Sequence, residues 1–122
     1  MSPPARRHYS CGMFVRTVMW DMASSKVTIE ELRAYLATES VDAFSQVSGL
    51  VLKQWVADPD RNRWGAIYLW ESRDAAKQPL PSKAREMIGR DPDEVGEFDL
   101  EASTTGTTNI RNLDRLGKAF EI

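Results

Sequence analysis

The chain has 122 residues, of which 42% are hydrophobic and 28% are charged, and its formal net charge is −2. This length fits one domain with one core, and the small net charge excludes a general attraction to nucleic acid or anionic membranes. The single cysteine, Cys11, excludes an intramolecular disulfide and fits a reducing cytoplasm.

Residues 1–10 predict a flexible lead rather than a signal peptide, since no long apolar segment follows their basic residues. No run in the chain approaches the roughly 20 apolar residues that span a bilayer. We therefore expect a cytoplasmic protein without a membrane partner. The next stretch, MFVRTVMW at 13–20, is β-branched and aromatic without Gly or Pro, and it predicts the first strand.

A helix is predicted to begin at Thr28, because Thr28 and Glu31 form a capping box. Its apolar stripe continues to about residue 47 but is interrupted at Glu39 and Ser40. If the helix is straight, Glu39 faces the sheet and can act as a general base. If the helix kinks or restarts near Ser40, as the capping-type sequence Thr-Glu-Ser favours, Glu39 faces water.

A hairpin is predicted next. Gly49 ends the helix, LVLKQWV at 50–56 reads as the second strand, and RWGAIYLW at 63–70 as the third, with the turn-rich DPDRNR between them. Alternation in the third strand puts the aromatic side chains on one face: Trp64, Tyr68 and Trp70. This face is a pocket wall if it looks toward the helices, and an interface if it looks toward a partner.

The second helix is predicted to be broken. It begins near residue 72, Pro79 and Pro81 interrupt it, and Ser82 caps a second short piece that Gly89 closes. Residues 94–102 predict the fourth strand.

The order β-α-β-β-α-β predicts a ferredoxin-like α+β domain over residues 11–103, with a four-stranded antiparallel sheet and both helices on one face. The first three strands are apolar on both faces, so the other face needs cover, and a second copy of the chain supplies it. We therefore expect a homodimer with two sheets packed face to face.

The tail, residues 104–122, predicts a short amphipathic helix, because apolar residues recur at helical spacing: Ile110, Leu113, Leu116 and Phe120. This helix packs on the domain or its partner, or forms a lid over a pocket.

Three segments together resemble one known family: GLVLKQW at 49–55, GAIYLW at 65–70 and FDL at 98–100. They are similar to the YdhR-type monooxygenases of the dimeric α+β-barrel superfamily. The resemblance implies a dimer with a small-molecule pocket between helices and sheet. The superfamily includes cofactor-independent oxygenases, cyclases, isomerases and haem degraders, and the broken second helix and longer N-terminal lead depart from its compact members.

Composition argues against common cofactors. One His and one Cys give no metal-ligand spacing, and the phosphate-binding glycine motifs are missing, so we expect no cofactor and no metal. With the resemblance, this favours a cofactor-independent monooxygenase for an aromatic or polyketide-type substrate, as in antibiotic biosynthesis. Alternatives are a cyclase or isomerase for a similar substrate, a non-catalytic small-molecule binder, and a haem protein that uses His8.

Such a pocket needs a base, a group that stabilises an anion, and aromatic walls. The candidate catalytic residues are Tyr68, Arg16, Glu39 and His8. The candidate substrate-binding residues are Trp20, Trp55, Trp70 and Lys53. The large aromatics are also ordinary core residues.

Two of these candidates are charges within apolar strands, where they need partners or access to water. Arg16 either binds an anion or forms a salt bridge to strand four, where Glu97, Asp99 and Glu101 share a face. Lys53 either follows the family pattern or reaches solvent at the dimer edge.

Overall fold

The computed structural model describes residues 12–121, and its centre is one antiparallel sheet in the strand order β2-β3-β1-β4. The strands are β1 (Phe14–Asp21), β2 (Leu50–Asp58), β3 (Arg63–Trp70) and β4 (Glu94–Asp99). The helices are α1 (Ile29–Tyr35), α2 (Val41–Phe44) and α3 (Ala84–Ile88). The predicted ferredoxin-like α+β fold is confirmed.

The first helix contains an irregular turn at the predicted interruption. The capping box of Thr28 and Glu31 begins α1 as expected. A π-helical turn, Leu36–Ser40, then joins α1 to α2. Such a turn adds one residue to the helical repeat and rotates the side chains that follow it. Ser40 is therefore buried and Glu39 exposed, which is the kinked alternative of the two predicted from the sequence.

The region after β3 is broken, as its prolines predict. A short 3-10 turn, Ala75–Lys77, precedes the Pro-Leu-Pro segment, and α3 follows it. Lys83, not Ser82, occupies the cap position of α3, and it makes no side-chain capping hydrogen bond. Gly89 ends α3 in the left-handed conformation with φ 98°, which is the predicted stop.

The aromatic face of β3 looks toward the helices. Trp64, Tyr68 and Trp70 are buried there, which settles the question left open by strand alternation. One buried group includes Trp20, Leu32, Trp64 and Ile88. The other includes Phe14, Phe44, Tyr68 and Trp70.

The opposite face of the sheet remains apolar and accessible. Val56, Ile67 and Phe98 on this face are 37%, 39% and 55% exposed. Register confirms that these residues point away from the helices, since Ile67 pairs with Thr17 and Gln54, and Phe98 pairs with Val15. A side chain at Gly65 would meet the Val18 carbonyl oxygen at 2.3 Å, so glycine permits close strand packing here.

The tail is less helical than its spacing predicts. Within the described residues beyond 103, the helical element is one 3-10 turn, Lys118–Phe120. Arg115 has φ 62° and Gly117 has φ 134°, and these backbone angles prevent a continuous helix through the tail. Across residues 12–121, no helix has the length and apolar character needed to cross a membrane.

Candidate functional site

A row of four polar side chains crosses the helix-side face of the sheet. Arg16 of β1 pairs in register with Tyr68 of β3 on one side and with Glu97 of β4 on the other. Tyr68 in turn pairs with Lys53 of β2. One side chain from each strand therefore stands in a single line, with Tyr68 between two basic residues.

The position of Lys53 depends on an irregularity in β2. The register shifts between Leu50 and Leu52, so that Leu50 pairs with Trp70 and Leu52 with Leu69. Such a bulge redirects the side chains that follow it and often lies next to a functional site. Lys53 consequently points toward the helices.

Three aromatic rings surround the amine of Lys53. Its Nζ lies 3.4 Å from the ring centroid of Phe44, and 4.4 Å from the centroids of both Trp55 and Tyr68. The rings contact one another edge to face, with Phe44 and Trp55 centroids 5.6 Å apart. We call Phe44, Trp55 and Tyr68 the aromatic box.

The Lys53 amine has no acidic partner within residues 12–121. Each recorded salt bridge of that region involves another basic residue. Burial lowers the pKa of Lys53 from 10.5 to about 6, because the charged form loses its hydration. A large share of this side chain is therefore a neutral amine at neutral pH, with a free lone pair.

The phenol of Tyr68, unlike the amine of Lys53, keeps its proton at neutral pH. Burial raises the pKa of its phenol to about 12, although the positive charge of Arg16 acts in the opposite direction. Its ring is stacked on Trp70, with centroids 6.0 Å apart and planes 8° apart. Tyr68 is thus a rigid, neutral hydroxyl in the middle of the row.

Arg16 forms the ion pair that was one of its two predicted roles. Its Nη2 donates to the Glu97 carboxylate at 2.6 Å, and its Nη1 donates to the Ala76 carbonyl at 3.2 Å. These bonds connect β1 to β4 and to the broken second helix. They give both terminal nitrogens of the guanidinium a protein partner, whereas its buried Nε has none among the described residues.

A cleft of about 570 Å³ lies at the Lys53 end of the row, between the first helix, β2 and the tail. This volume is within the usual range for small-molecule sites. Lys53, Phe44 and Trp55 are among the residues that line it. The tail forms one wall through its residues 113–120. That wall agrees with the lid reading of the tail.

The tail is attached to the first helix by one ion pair. Arg115 Nη2 donates to Asp42 of α2, and its guanidinium lies 5.8 Å from the ring centroid of Phe120. Both partners are largely exposed, so this attachment is weak.

Several sequence candidates lie away from the cleft. Trp20 is buried and donates from Nε1 to the Arg90 carbonyl at 3.0 Å. Trp70 is fully buried behind Tyr68. Glu39 is exposed on the π-turn and is not part of the cleft lining. His8 and Cys11 lie outside the described residues.

Sequence reasoning did not identify Phe44 as part of the site. Its contact with Lys53 depends on the π-turn and the β2 bulge together. Within residues 12–121, no group of three or more His, Cys, Asp or Glu side chains is arranged to hold a metal ion.

No family model matches the sequence, and no curated protein sequence matches it either. Solved structures do match the fold. A monooxygenase of Streptomyces coelicolor in complex with nanaomycin D is 18% identical, with a TM-score of 0.55 over 77% of this chain and 92% of that one.

Two further structures have the same architecture. A dimeric ferredoxin-like protein from an uncultured marine organism is 12% identical, with a TM-score of 0.53 over 84% of this chain and 99% of that one. A protein of Bacteroides thetaiotaomicron assigned to antibiotic biosynthesis monooxygenases is 17% identical, with a TM-score of 0.51 over 83% and 99%. The chain therefore has the ferredoxin-like fold found in these proteins.

Proposed function

We propose that this chain is a cofactor-independent monooxygenase for an aromatic or polyketide-type small molecule, and that Lys53 is its general base. The observation that carries the proposal is the amine of Lys53, which lies among the rings of Phe44, Trp55 and Tyr68 without an acidic partner in residues 12–121. Lys53, Phe44 and Trp55 also line the cleft. The fold shared with a monooxygenase that binds nanaomycin D supports it, as do the YdhR-type motifs in β2 and β3.

The chemistry begins with a proton transfer. A phenol, enol or activated methylene in the cleft gives its proton to the neutral Lys53 amine, and the resulting carbanion or enolate supplies electrons to dioxygen. For an activated methylene the balance is R–CH₂–R′ + O₂ → R–CO–R′ + H₂O, with no external reductant. The aromatic faces stabilise the new ammonium ion by cation–π attraction. That ion in turn stabilises the substrate anion.

Tyr68 and Trp55 complete this site in the proposal. The ring of Tyr68 lies 4.4 Å from the Lys53 amine, and in the proposal its neutral hydroxyl donates to a substrate oxygen on which negative charge develops. Trp55 offers a flat apolar wall for a ring-shaped substrate. Arg16 holds the sheet rather than the substrate, because Glu97 already occupies its guanidinium.

The test measures oxygen uptake and product formation with a panel of phenolic and enolic polyketides, after chelator treatment and without added flavin. We expect turnover by the wild type and a loss of about 10²–10⁴-fold in Lys53→Met, as for removal of a general base. Lys53→Arg should fail equally, because a guanidinium keeps its proton. Lys77→Met is the matched control, since Lys77 is exposed and paired with Asp74.

An isomerase or cyclase uses the same proton transfer without oxygen. Product formation that depends on Lys53 under anaerobic conditions would replace the oxygenase proposal with this second function. Saturable binding without any product would identify a small-molecule binder instead.

We also propose that the protein is a homodimer that packs its outer sheet faces together. Val56, Ile67 and Phe98 leave an apolar surface exposed on that face, and one protein of the same fold is a dimer. Light scattering should give about twice the chain mass of 13.8 kDa. Ile67→Asp should shift the mass to that of one chain, because a charge at a packed interface is costly. A mass of one chain for the wild type at micromolar concentration would refute the dimer.

A further inference from the structure

Lys53 differs from the other lysines of the chain in every property that controls amine reactivity. The chain has five lysines. Lys26, Lys77, Lys83 and Lys118 are exposed at the surface, and two of them form ion pairs with Asp74 and Glu121. Lys53 alone has its amine among aromatic rings, without an acidic partner in the described part of the chain.

The charged side chains that line the cleft do not form ion pairs with Lys53. Arg33 and Arg115 line the cleft, but they pair with Glu30 and Asp42. Asp114 is the acidic residue of the lining, and it forms no ion pair with Lys53. Nothing described near the amine therefore holds it in the ammonium form except the aromatic faces.

A neutral amine in an apolar pocket is a nucleophile toward carbonyl carbon. Lysines form imines with carbonyl substrates when desolvation keeps the amine unprotonated. The cleft beside Lys53 has a volume of about 570 Å³ and an apolar wall formed by Phe44, Trp55 and Leu116, so a small apolar carbonyl compound has room to approach Nζ.

We propose that Lys53 captures apolar aldehydes and ketones reversibly as an imine in this cleft. The Nζ lone pair forms a bond to the carbonyl carbon, and the carbonyl π pair moves to oxygen, which takes up one of the two protons of Nζ. The carbinolamine then loses its hydroxyl group with a proton from nitrogen, so that one water leaves as the C=N bond forms. The reaction needs no oxidant or reductant. It uses the same side chain as the proposed oxygenase but does not depend on oxygenation.

The test is reductive trapping under anaerobic conditions with benzaldehyde and cyanoborohydride at neutral pH. Intact mass spectrometry should show one early adduct per chain, with the mass of the aldehyde less one oxygen atom. Peptide mapping should place it on Lys53, with an initial rate at least about tenfold above that at Lys77, because desolvation activates the amine of Lys53 whereas Lys77 is exposed and paired with Asp74.

Two controls test whether the early adduct depends on Lys53 in the folded chain. Lys53→Met should lose the early adduct and Lys77→Met should retain it. If Lys53→Met does not fold, the wild type in concentrated urea serves the same purpose, because unfolding returns Lys53 to an ordinary pKa and should slow its labelling to the rate of the other lysines. Labelling spread according to exposure, an equal rate in urea, or no adduct on Lys53 would each overturn the proposal. Absence of oxygen uptake with an adduct on Lys53 would overturn the oxygenase proposal alone.

Discussion

The two sides of Tyr68 accommodate a basic side chain in opposite ways. On the β1 side, Arg16 is paired with Glu97 and bonded to the Ala76 carbonyl. On the β2 side, Lys53 points into aromatic rings and has no acidic partner within residues 12–121. Both residues pair in register with Tyr68, so the pairing position is the same on both sides. The difference lies in what surrounds each cation.

This difference follows the chemistry of the two side chains. A guanidinium stays protonated in proteins, so a partly buried arginine needs a carboxylate or carbonyl partner. An amine can lose its proton when desolvated. The site without a partner is the one that holds lysine, and it is also the one that opens to the cleft. The Arg16 side therefore supports the structure, whereas the Lys53 side is the reactive one.

The difference between the Arg16 side and the Lys53 side is tested most strongly by removing each cation and measuring unfolding in urea at about pH 7. Lys53→Met should raise the free energy of unfolding by about 1–4 kcal/mol, because it removes a buried amine that must lose its proton to fold. Arg16→Met should lower it by about 1–2 kcal/mol, because the Ala76 carbonyl and Glu97 lose their donor.

Changes of the same sign in the two variants would show that the two sides are equivalent. The variant Arg73→Met is a suitable control, because the pair of Arg73 and Asp99 is exposed and its loss should change stability by less than about 1 kcal/mol.

The pH dependence of stability tests the state of Lys53 in the wild type. Its pKa is about 6 in the folded chain and 10.5 without burial. Between these values the unfolded chain binds more protons, so stability should rise with pH, by about 1 kcal/mol per pH unit near pH 8. Lys53→Met should lose this increment. Above the ordinary pKa of tyrosine the trend should weaken, because the phenol of Tyr68 keeps its proton in the fold up to about pH 12. An equal slope in both proteins would mean that Lys53 stays charged.

Tyr68→Phe sharpens the comparison by removing the hydroxyl between the two cations. Turnover should fall by about 10²–10³-fold, since one donor to the substrate oxygen is lost. Stability should change by no more than about 1 kcal/mol, because the stacked ring is retained. Steady-state kinetics and urea unfolding on the same preparation measure both. An equal free-energy loss in turnover and in stability would make Tyr68 a core residue.

The fold could be predicted because its signals are local. The capping box at Thr28, the left-handed glycines at 49 and 89, and strand alternation each act within a few residues, and together they determine the element order. Alternation also grouped Trp64, Tyr68 and Trp70 correctly. It could not say which face they occupy, because both faces of β3 are apolar.

The site could be predicted only in part, because its geometry depends on irregularities. The π-turn at Leu36–Ser40 moves Glu39 to the solvent, and the bulge before Leu52 sets the direction of Lys53. Each inserts one residue into a regular repeat. The interrupted stripe at Glu39 and Ser40 marked the first insertion, whereas the alternation of β2 did not reveal the second. The tail is less helical than predicted for a related reason, since left-handed angles at Arg115 and Gly117 end the helix that its spacing indicates.

The smallest expected effect concerns the tail, which belongs to the Lys53 side alone. Arg115→Ala removes the ion pair to Asp42 and the contact with Phe120. Because that pair is exposed, stability should change by less than about 0.5 kcal/mol. The tail wall should loosen, so KM should rise about two- to fivefold while kcat stays near the wild-type value, since substrate binding is weakened equally in the ground and transition states. Asp42→Asn should reproduce this result if the pair is responsible. A fall in kcat with unchanged KM would mean that the tail takes part in the chemistry on Lys53, rather than only retaining the substrate beside it.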